Sequence, residues 1–350
     1  MKIPESHHGR SGQILKVLLL VLTITLAGGC GHGPNDGNVK SKWVILNEGS
    51  EIDTRKVFFV DSLNGWATNG MGGTHAYFRS RDGGRNWELG IVPNKPHASL
   101  FFDLAFTDTL TGWLVGDELI YHTADGGESW TVDERFYDRP GWPLIKTVYF
   151  PDAVHGWIGL YAFGAQKIAR TADGGGNWEI VSEHNKWLLQ TLDGNTAFAE
   201  VYDTTAVSGI ARTVDDGATW QLIYPGSGRS LSRVLTSFIS QQDGWATVSW
   251  TNGEEDYGSY LIRTQDGGAT WDTLLNFQGR DMRDIHMLPS REGWIITYPP
   301  QSFLYTTDGL TWREDPLPDI GDRLIGDLFV MPGPHAWAVV GKLILGREID

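Results

Sequence analysis

The sequence predicts an all-β chain folded as a seven-bladed β-propeller of four-stranded antiparallel blades, closed by its N-terminal strand. Three observations carry this. A Gly-Trp pair or close variant recurs at Trp66, Trp113, Trp157, Phe198, Trp245, Trp294 and Trp337, in steps of 41–49 residues. A turn containing aspartate and glycine and ending in tryptophan follows each of the first six. The 350 residues include 44 glycines and 16 tryptophans but only 20% charged residues, as short strands joined by tight turns require. A period of this size, with room for four short strands, is that of a propeller blade.

The chain opens on an address. Lys2, Arg10 and Lys16 precede an uncharged apolar run from Val17 to Ala27, too short for a permanent membrane span and of the size of a signal-peptide core. The run ends in Leu26-Ala27-Gly28-Gly29-Cys30, small residues before the only cysteine of the chain. This is the pattern of a bacterial lipobox, with Ala27 where leucine is commoner. Residues 1–29 are therefore expected to be a lipoprotein signal peptide, and Cys30 the lipidated residue. The competing reading is ordinary secretory cleavage beside an incidental cysteine. Residues 30–41 read as a flexible tether with a reach of roughly 20 Å, and 42–350 as the propeller. The expected location is the bacterial cell envelope, as an exported, membrane-anchored lipoprotein. Cleavage removes Lys2, Glu5, Arg10 and Lys16, a net +2, and takes the formal charge from −15 to −17.

The turn motif reads Ser80-x-Asp82-Gly-Gly84-x-Asn86-Trp87 in the first unit. It recurs at 123–130, 171–178, 213–220 and 264–271, and one residue shorter at 306–312. This is the Asp-box, or BNR repeat. A short carboxylate can accept backbone N–H bonds within the turn, and glycine permits positive φ. Asp82, Asp125, Asp173, Asp215, Asp266 and Asp308 are accordingly expected to be structural. A catalytic or metal site needs one constellation, not six copies.

Each unit reads as four strands, a to d. In the second unit these are 100–106, 113–115, 119–122 and 130–132, with the Asp-box as the c–d turn. The seventh unit ends on strand c at 342–347. Its strand d is expected from the other end of the chain, at 42–47, where Trp43 matches the tryptophan that opens strand d elsewhere. Thirteen of the 16 tryptophans then belong to the repeat.

Over residues 42–347 this combination resembles the photosystem II assembly and stability factor family, whose members are lumenal seven-bladed propellers and, in cyanobacteria, lipoproteins. The resemblance implies a scaffold that assists freshly inserted membrane proteins and pigments, partly through a patch of arginines. Here Arg55, Arg233, Arg283 and Arg323 stand singly in the sequence. What carries over is the fold and the idea of a binding scaffold.

Other functions find little support. A chain of this acidity lacks the basic face that nucleic-acid binding needs. There is no phosphate loop, no His pair at metal-ligand spacing and no Gly-x-Ser-x-Gly. A sialidase would need an Arg-Ile-Pro segment in the mature chain, and a xyloglucanase a second propeller. The expectation is a non-enzymatic monomer without cofactor or metal that binds a membrane-associated protein partner. The alternative is a carbohydrate-active propeller, glycan-binding or a sialidase- or xyloglucanase-like hydrolase. The b–c and d–a loops of blades 3 to 5 are the longest and carry the three tryptophans outside the repeat. Trp142, Trp187 and Trp250, with Tyr137 and Tyr257, are the expected partner-binding residues.

Overall fold

The computed structural model describes residues 43–47, 54–69, 76–93, 100–136, 144–162, 164–183, 185–203, 206–226, 231–253, 255–332 and 335–347. The signal segment, Cys30 and the tether lie outside the described residues. Among those described are 28 strands and no helix, arranged as seven four-stranded antiparallel blades. The a strands are Thr54–Phe59, Phe101–Phe106, Leu144–Tyr149, Lys186–Thr191, Leu231–Phe238, Asp281–Met287 and Ile325–Met331. Each touches the a strands on either side, and the last touches the first, so the ring closes around a central channel.

The Gly-Trp repeat has a packing cause. An aromatic ring at the end of strand a lies across the glycine that opens strand b of the same blade. A Cβ on Gly65, Gly112, Gly156 or Gly244 would fall inside the ring of Phe59, Phe106, Phe150 or Phe238. That ring is in turn covered by the strand-b aromatic of the preceding blade. Trp66 stacks on Phe106 at 3.8 Å, Trp113 on Phe150 at 3.4 Å, Phe198 on Phe238 at 3.8 Å and Trp337 on Phe59 at 3.8 Å. Four strand-b tryptophans also donate their indole N–H to a glycine carbonyl in the next blade's Asp-box, Trp66 to Gly126, Trp113 to Gly174, Trp245 to Gly309 and Trp337 to Gly83, while Trp157 donates to Gly194 in the a–b turn of blade 4. The repeat thus encodes the contact between blades as much as the blade itself.

The Asp-boxes are hydrogen-bonded turns. In the second, Thr123 Oγ1 donates to Asp125 Oδ1 at 2.8 Å and accepts the Gly127 N–H at 2.8 Å. Asp125 also accepts the backbone N–H of Ser129 at 2.9 Å and its hydroxyl at 2.5 Å. Asp82, Asp173, Asp215 and Asp266 make the same set, and in the shortened sixth box Asp308 accepts the N–H groups of Leu310 and Thr311. Both Gly126 (φ 75°) and Gly127 (φ 101°) occupy the left-handed region that a side chain would strain.

Ring closure uses the N-terminal strand. Trp43–Ile45 pairs antiparallel with Leu343–Arg347 and is the outermost strand of blade 7. Trp43 is 1% exposed, stacks on Phe303 at 4.6 Å and donates its indole N–H to Asp315 Oδ2 at 2.9 Å. The same oxygen accepts Trp294 Nε1 at 3.0 Å and Arg347 Nε at 3.2 Å. Blade 7 has no Asp-box, so the blade-6 tryptophan meets this buried carboxylate where its counterparts meet a turn glycine.

Candidate binding groove

Every a strand carries one break in its pairing with strand b. The register slips between Thr54 and Val57, Phe101 and Asp103, Ile145 and Thr147, Leu188 and Gln190, Leu231 and Arg233, Met282 and Asp284, and Ile325 and Asp327. A bulge re-aims the side chains around it. Residues just past the bulge serve the neighbouring blade. Asp103 accepts the Val148 N–H at 3.0 Å, Gln190 lies beyond the blade-4 bulge and accepts the Phe238 N–H at 2.8 Å, and Asp327 accepts the Val57 N–H at 3.0 Å. Asp327 also pairs with Lys56 at 2.8 Å. Burial pushes the Asp103 carboxyl up to about 6, against the opposing pull of Lys56. These channel carboxylates are staples between blades.

The bulges of blades 3 and 4 also open onto a groove. They extrude Lys146 and Leu189, which with Leu144, Trp187, Val234 and Leu235 line a cavity of about 460 Å³. The walls come from long b–c hairpins. Strands b and c are five residues each in blade 2 but seven to eight in blades 3, 4 and 5. Tyr161 and Gln166 of blade 3 and Glu200 and Tyr202 of blade 4 rise along the groove, and Arg233 of blade 5 closes it.

The electrostatics are lopsided. Glu200 is the groove's acidic lining residue, and it is already occupied: it accepts the Val234 N–H at 2.8 Å and the Tyr202 hydroxyl at 2.6 Å. Burial raises its pKa, while Arg233 and these two hydrogen bonds pull the other way. The Lys146 ammonium sits 3.2 Å from the centroid of the Phe102 ring, the residue extruded by the neighbouring bulge. Burial lowers its pKa, Arg55 adds to the effect and Asp117 opposes it. Among the described residues no carboxylate lies within ion-pairing distance of Lys146. Arg233 meets Asp281 at 3.4 Å, and Arg283 approaches the same carboxylate at 3.8 Å. Ser249 donates to the other oxygen of Asp281.

The sequence-derived site residues fare unequally. Trp187 lines the groove, half-buried on strand a of blade 4, where a d–a loop was expected. Trp250 is a correction. It is 2% exposed, on strand b of blade 5, packed with Ile210, Leu231, Val234 and Ile262. Its segment is no loop because the b–c hairpin is extended, pairing Trp250 with Gly258. The side-chain alternation of a strand carries Ala246, Val248 and Trp250 into the same cluster. Tyr257 is half-buried at the start of strand c and does not line the groove. Tyr137 and Trp142 lie outside the described residues. Lys146, Tyr161, Glu200 and Tyr202 fall in the segments expected as long loops but were not singled out as binding residues. The one signal available was a cation inside an otherwise strand-like run, Leu144-Ile145-Lys146-Thr147-Val148. Arg233 and Arg283, isolated in the sequence, converge on Asp281, whereas Arg55 and Arg323 do not.

A family model for the photosynthesis system II assembly factor YCF48 matches residues 90–233, which include the strands that build the groove from blades 3 and 4. The photosystem II assembly lipoprotein Ycf48 of Synechococcus sp. (strain CC9902) is 24% identical over 285 residues, 77% of this chain and 80% of that protein. The solved structure of YCF48 bound to D1 peptide gives a TM-score of 0.66 at 21% identity, covering 90% of this chain and 97% of that one.

By these matches the chain is similar to the photosystem II assembly factors.

A xyloglucanase of Xanthomonas campestris shares the fold at a TM-score of 0.62 and 13% identity, but this propeller covers only 54% of that enzyme. The chain thus covers 80% of the Synechococcus protein and 97% of the YCF48 structure, against about half of the hydrolase.

Proposed function

We propose that the propeller is a non-catalytic assembly scaffold that binds a segment of a protein partner in the groove over blades 3 to 5. The observation that carries this reading is the groove itself: about 460 Å³, floored by leucine and valine side chains and edged by Trp187, Tyr161, Lys146 and Arg233. An apolar floor with a few polar groups at its edge is the ordinary form of a binding site. A rigid ring presents it with little reorganisation, which limits the entropic cost of binding. The structure of YCF48 bound to D1 peptide supports a peptide as the class of partner, and the relative named a lipoprotein supports an anchor at Cys30. In this reading the propeller is exported, held at a membrane by that lipid and acts as a monomer on a membrane protein under assembly.

The carbohydrate-active alternative is not favoured. The groove's one lining acid, Glu200, is committed to hydrogen bonds within the protein, and glycoside hydrolysis calls for a pair of carboxylates. The test is an array of overlapping peptides from the non-membrane segments of D1, probed with the mature propeller and with Trp187→Ala. Binding of a discrete peptide set that is lost in the variant is expected. Capture that is unaffected by Trp187→Ala would remove the groove from the function.

A further inference from the structure

The groove's own chemistry narrows its ligand further, and this step rests on the reading that the groove binds a peptide. We propose that it takes an extended segment in which an apolar residue is flanked by an acidic one, the apolar side chain on the Leu189–Val234–Leu235 floor and the carboxylate between Lys146 and Arg233.

Three observations lead there. First, the ammonium of Lys146 is held over an aromatic face at 3.2 Å, with no carboxylate among the described residues in ion-pairing distance. A cation shielded from water on one side, with no carboxylate of the described residues in salt-bridge range, gains from an incoming anion. Second, Arg233 is 42% exposed at its side chain and its contact to Asp281 is long, 3.4 Å, so a planar guanidinium edge is left for a ligand. Third, the acid of the groove is turned to the protein's own donors, since each Glu200 oxygen already accepts one hydrogen bond, from the Val234 N–H and from the Tyr202 hydroxyl, which leaves the two cations as the groove's outward charge. The floor between these groups is apolar, which suits neither a sugar nor a highly charged polyanion. The formal charge of the whole chain, −15, repels acidic ligands at long range. Recognition of an acidic segment must then come from the local cation pair and be steeply weakened by salt.

The probes are two fluorescein-labelled decapeptides, amidated at the C-terminus, built on a Gly-Ser frame. One carries a Leu-Phe-Glu-Glu core and the other Leu-Phe-Gln-Gln. Polarisation titrations use the mature propeller at 20 mM and 300 mM salt, conditions chosen as roughly a Debye length of 20 Å and one under 10 Å. The acidic probe is expected to bind at least tenfold more tightly at low salt, with most of that preference lost at high salt. Lys146→Gln with Arg233→Gln should abolish the preference and leave the weak binding of the neutral probe. Lys146→Arg should retain it, which separates loss of charge from loss of fold. Equal binding of both probes, displaced by Trp187→Ala, would overturn the acidic assignment while leaving peptide binding intact. No binding of either probe would overturn both. Anionic phosphatidylglycerol vesicles form a third arm: if they bind through Lys146 and Arg233 more tightly than the acidic peptide, the surface is a lipid contact and the proposal is wrong.

Discussion

Removing one indole from the N-terminal strand tests how the ring is held shut. Trp43 is the largest group of a three-residue strand and is 1% exposed. A tryptophan buries about 150–250 Å², worth roughly 4–6 kcal/mol at ~25 cal/mol per Å². Measured aromatic-to-alanine truncations in cores cost about 3–5 kcal/mol. The hydrogen bond to Asp315 adds little to this, since Trp294 at 3.0 Å and Arg347 at 3.2 Å still satisfy that oxygen. Trp43→Ala is therefore expected to cost about 4 kcal/mol, a large share of the ~5–15 kcal/mol that holds a folded protein. With a urea m-value near the upper end of the ~1–3 kcal/mol/M range, the unfolding midpoint should fall by more than about 1 M. Deleting residues 42–47 should do more. It uncovers the edge of Leu343–Arg347, which would then pair with other chains and give concentration-dependent association on size-exclusion chromatography. Deleting 31–40 leaves every described contact in place and should leave the midpoint unchanged. If Trp43→Ala unfolds within about 0.3 M urea of the parent, the N-terminal strand is dispensable and closure resides in the contacts between strands a of blades 7 and 1.

Four further outcomes follow from particular contacts. Asp125→Ala removes the acceptor of Ser129 N–H and hydroxyl and should lower the melting temperature by a few degrees, about 1 kcal/mol, without changing peptide binding. The Asp-box carboxylates also set an acid limit: the Ser129 side-chain and backbone hydrogen bonds hold Asp125 at about 2, so its stabilising contribution is complete above its unfolded value of 3.8 and is lost as pH falls towards 2. Asp103, raised by burial to about 6, works with the opposite sign, destabilising progressively from pH 4 to 6, and Asp103→Asn should flatten that part of a melting-temperature profile. Glu200→Ala orphans the buried Val234 N–H and should cost about 1–3 kcal/mol in chemical denaturation, whereas Glu200→Gln, which keeps an acceptor, should cost less than half as much. Cys30→Ser should shift the processed protein from the membrane to the soluble fraction; retention at the membrane after signal cleavage would rule out a lipid on Cys30.

How legible this molecule was depends on what repeats. The Gly-Trp and Asp-box positions recur because every blade must meet the next in the same way, and seven repetitions make that contact visible in the sequence. Even the closure was readable, since a seventh unit without strand d and a spare Trp43 are two halves of one repeat. The groove does not repeat. It depends on bulges that carry no glycine or proline signal in Leu144–Tyr149 or Lys186–Thr191, and on b–c hairpins whose extra length reads equally well as loop. Trp250 shows the cost of that ambiguity. Read as loop, its segment promises an exposed anchor; paired with Gly258 and Leu231, the same residue is core.

The same distinction explains why a groove lies on the face of the long hairpins while Trp250, expected as an anchor there, is core. Lengthening a b–c hairpin moves the chain outward from the ring on the side where strands a begin. It does so whether the added residues pair as strand or wander as loop. The location of extra chain is therefore fixed by topology, while the direction of each side chain is fixed by register. A one-residue slip exchanges core for solvent. Trp187 and Leu189 show this within one strand: they lie on either side of the buried Leu188 and both reach the groove. Leu189 is the residue extruded between Leu188 and Gln190, and its placement beside Lys146 exists only because both strands bulge at equivalent points. All seven a strands bulge, and at Asp103, Gln190 and Asp327 the residue past the bulge staples the next blade. In blades 3 and 4 the same device, under taller walls, makes a groove.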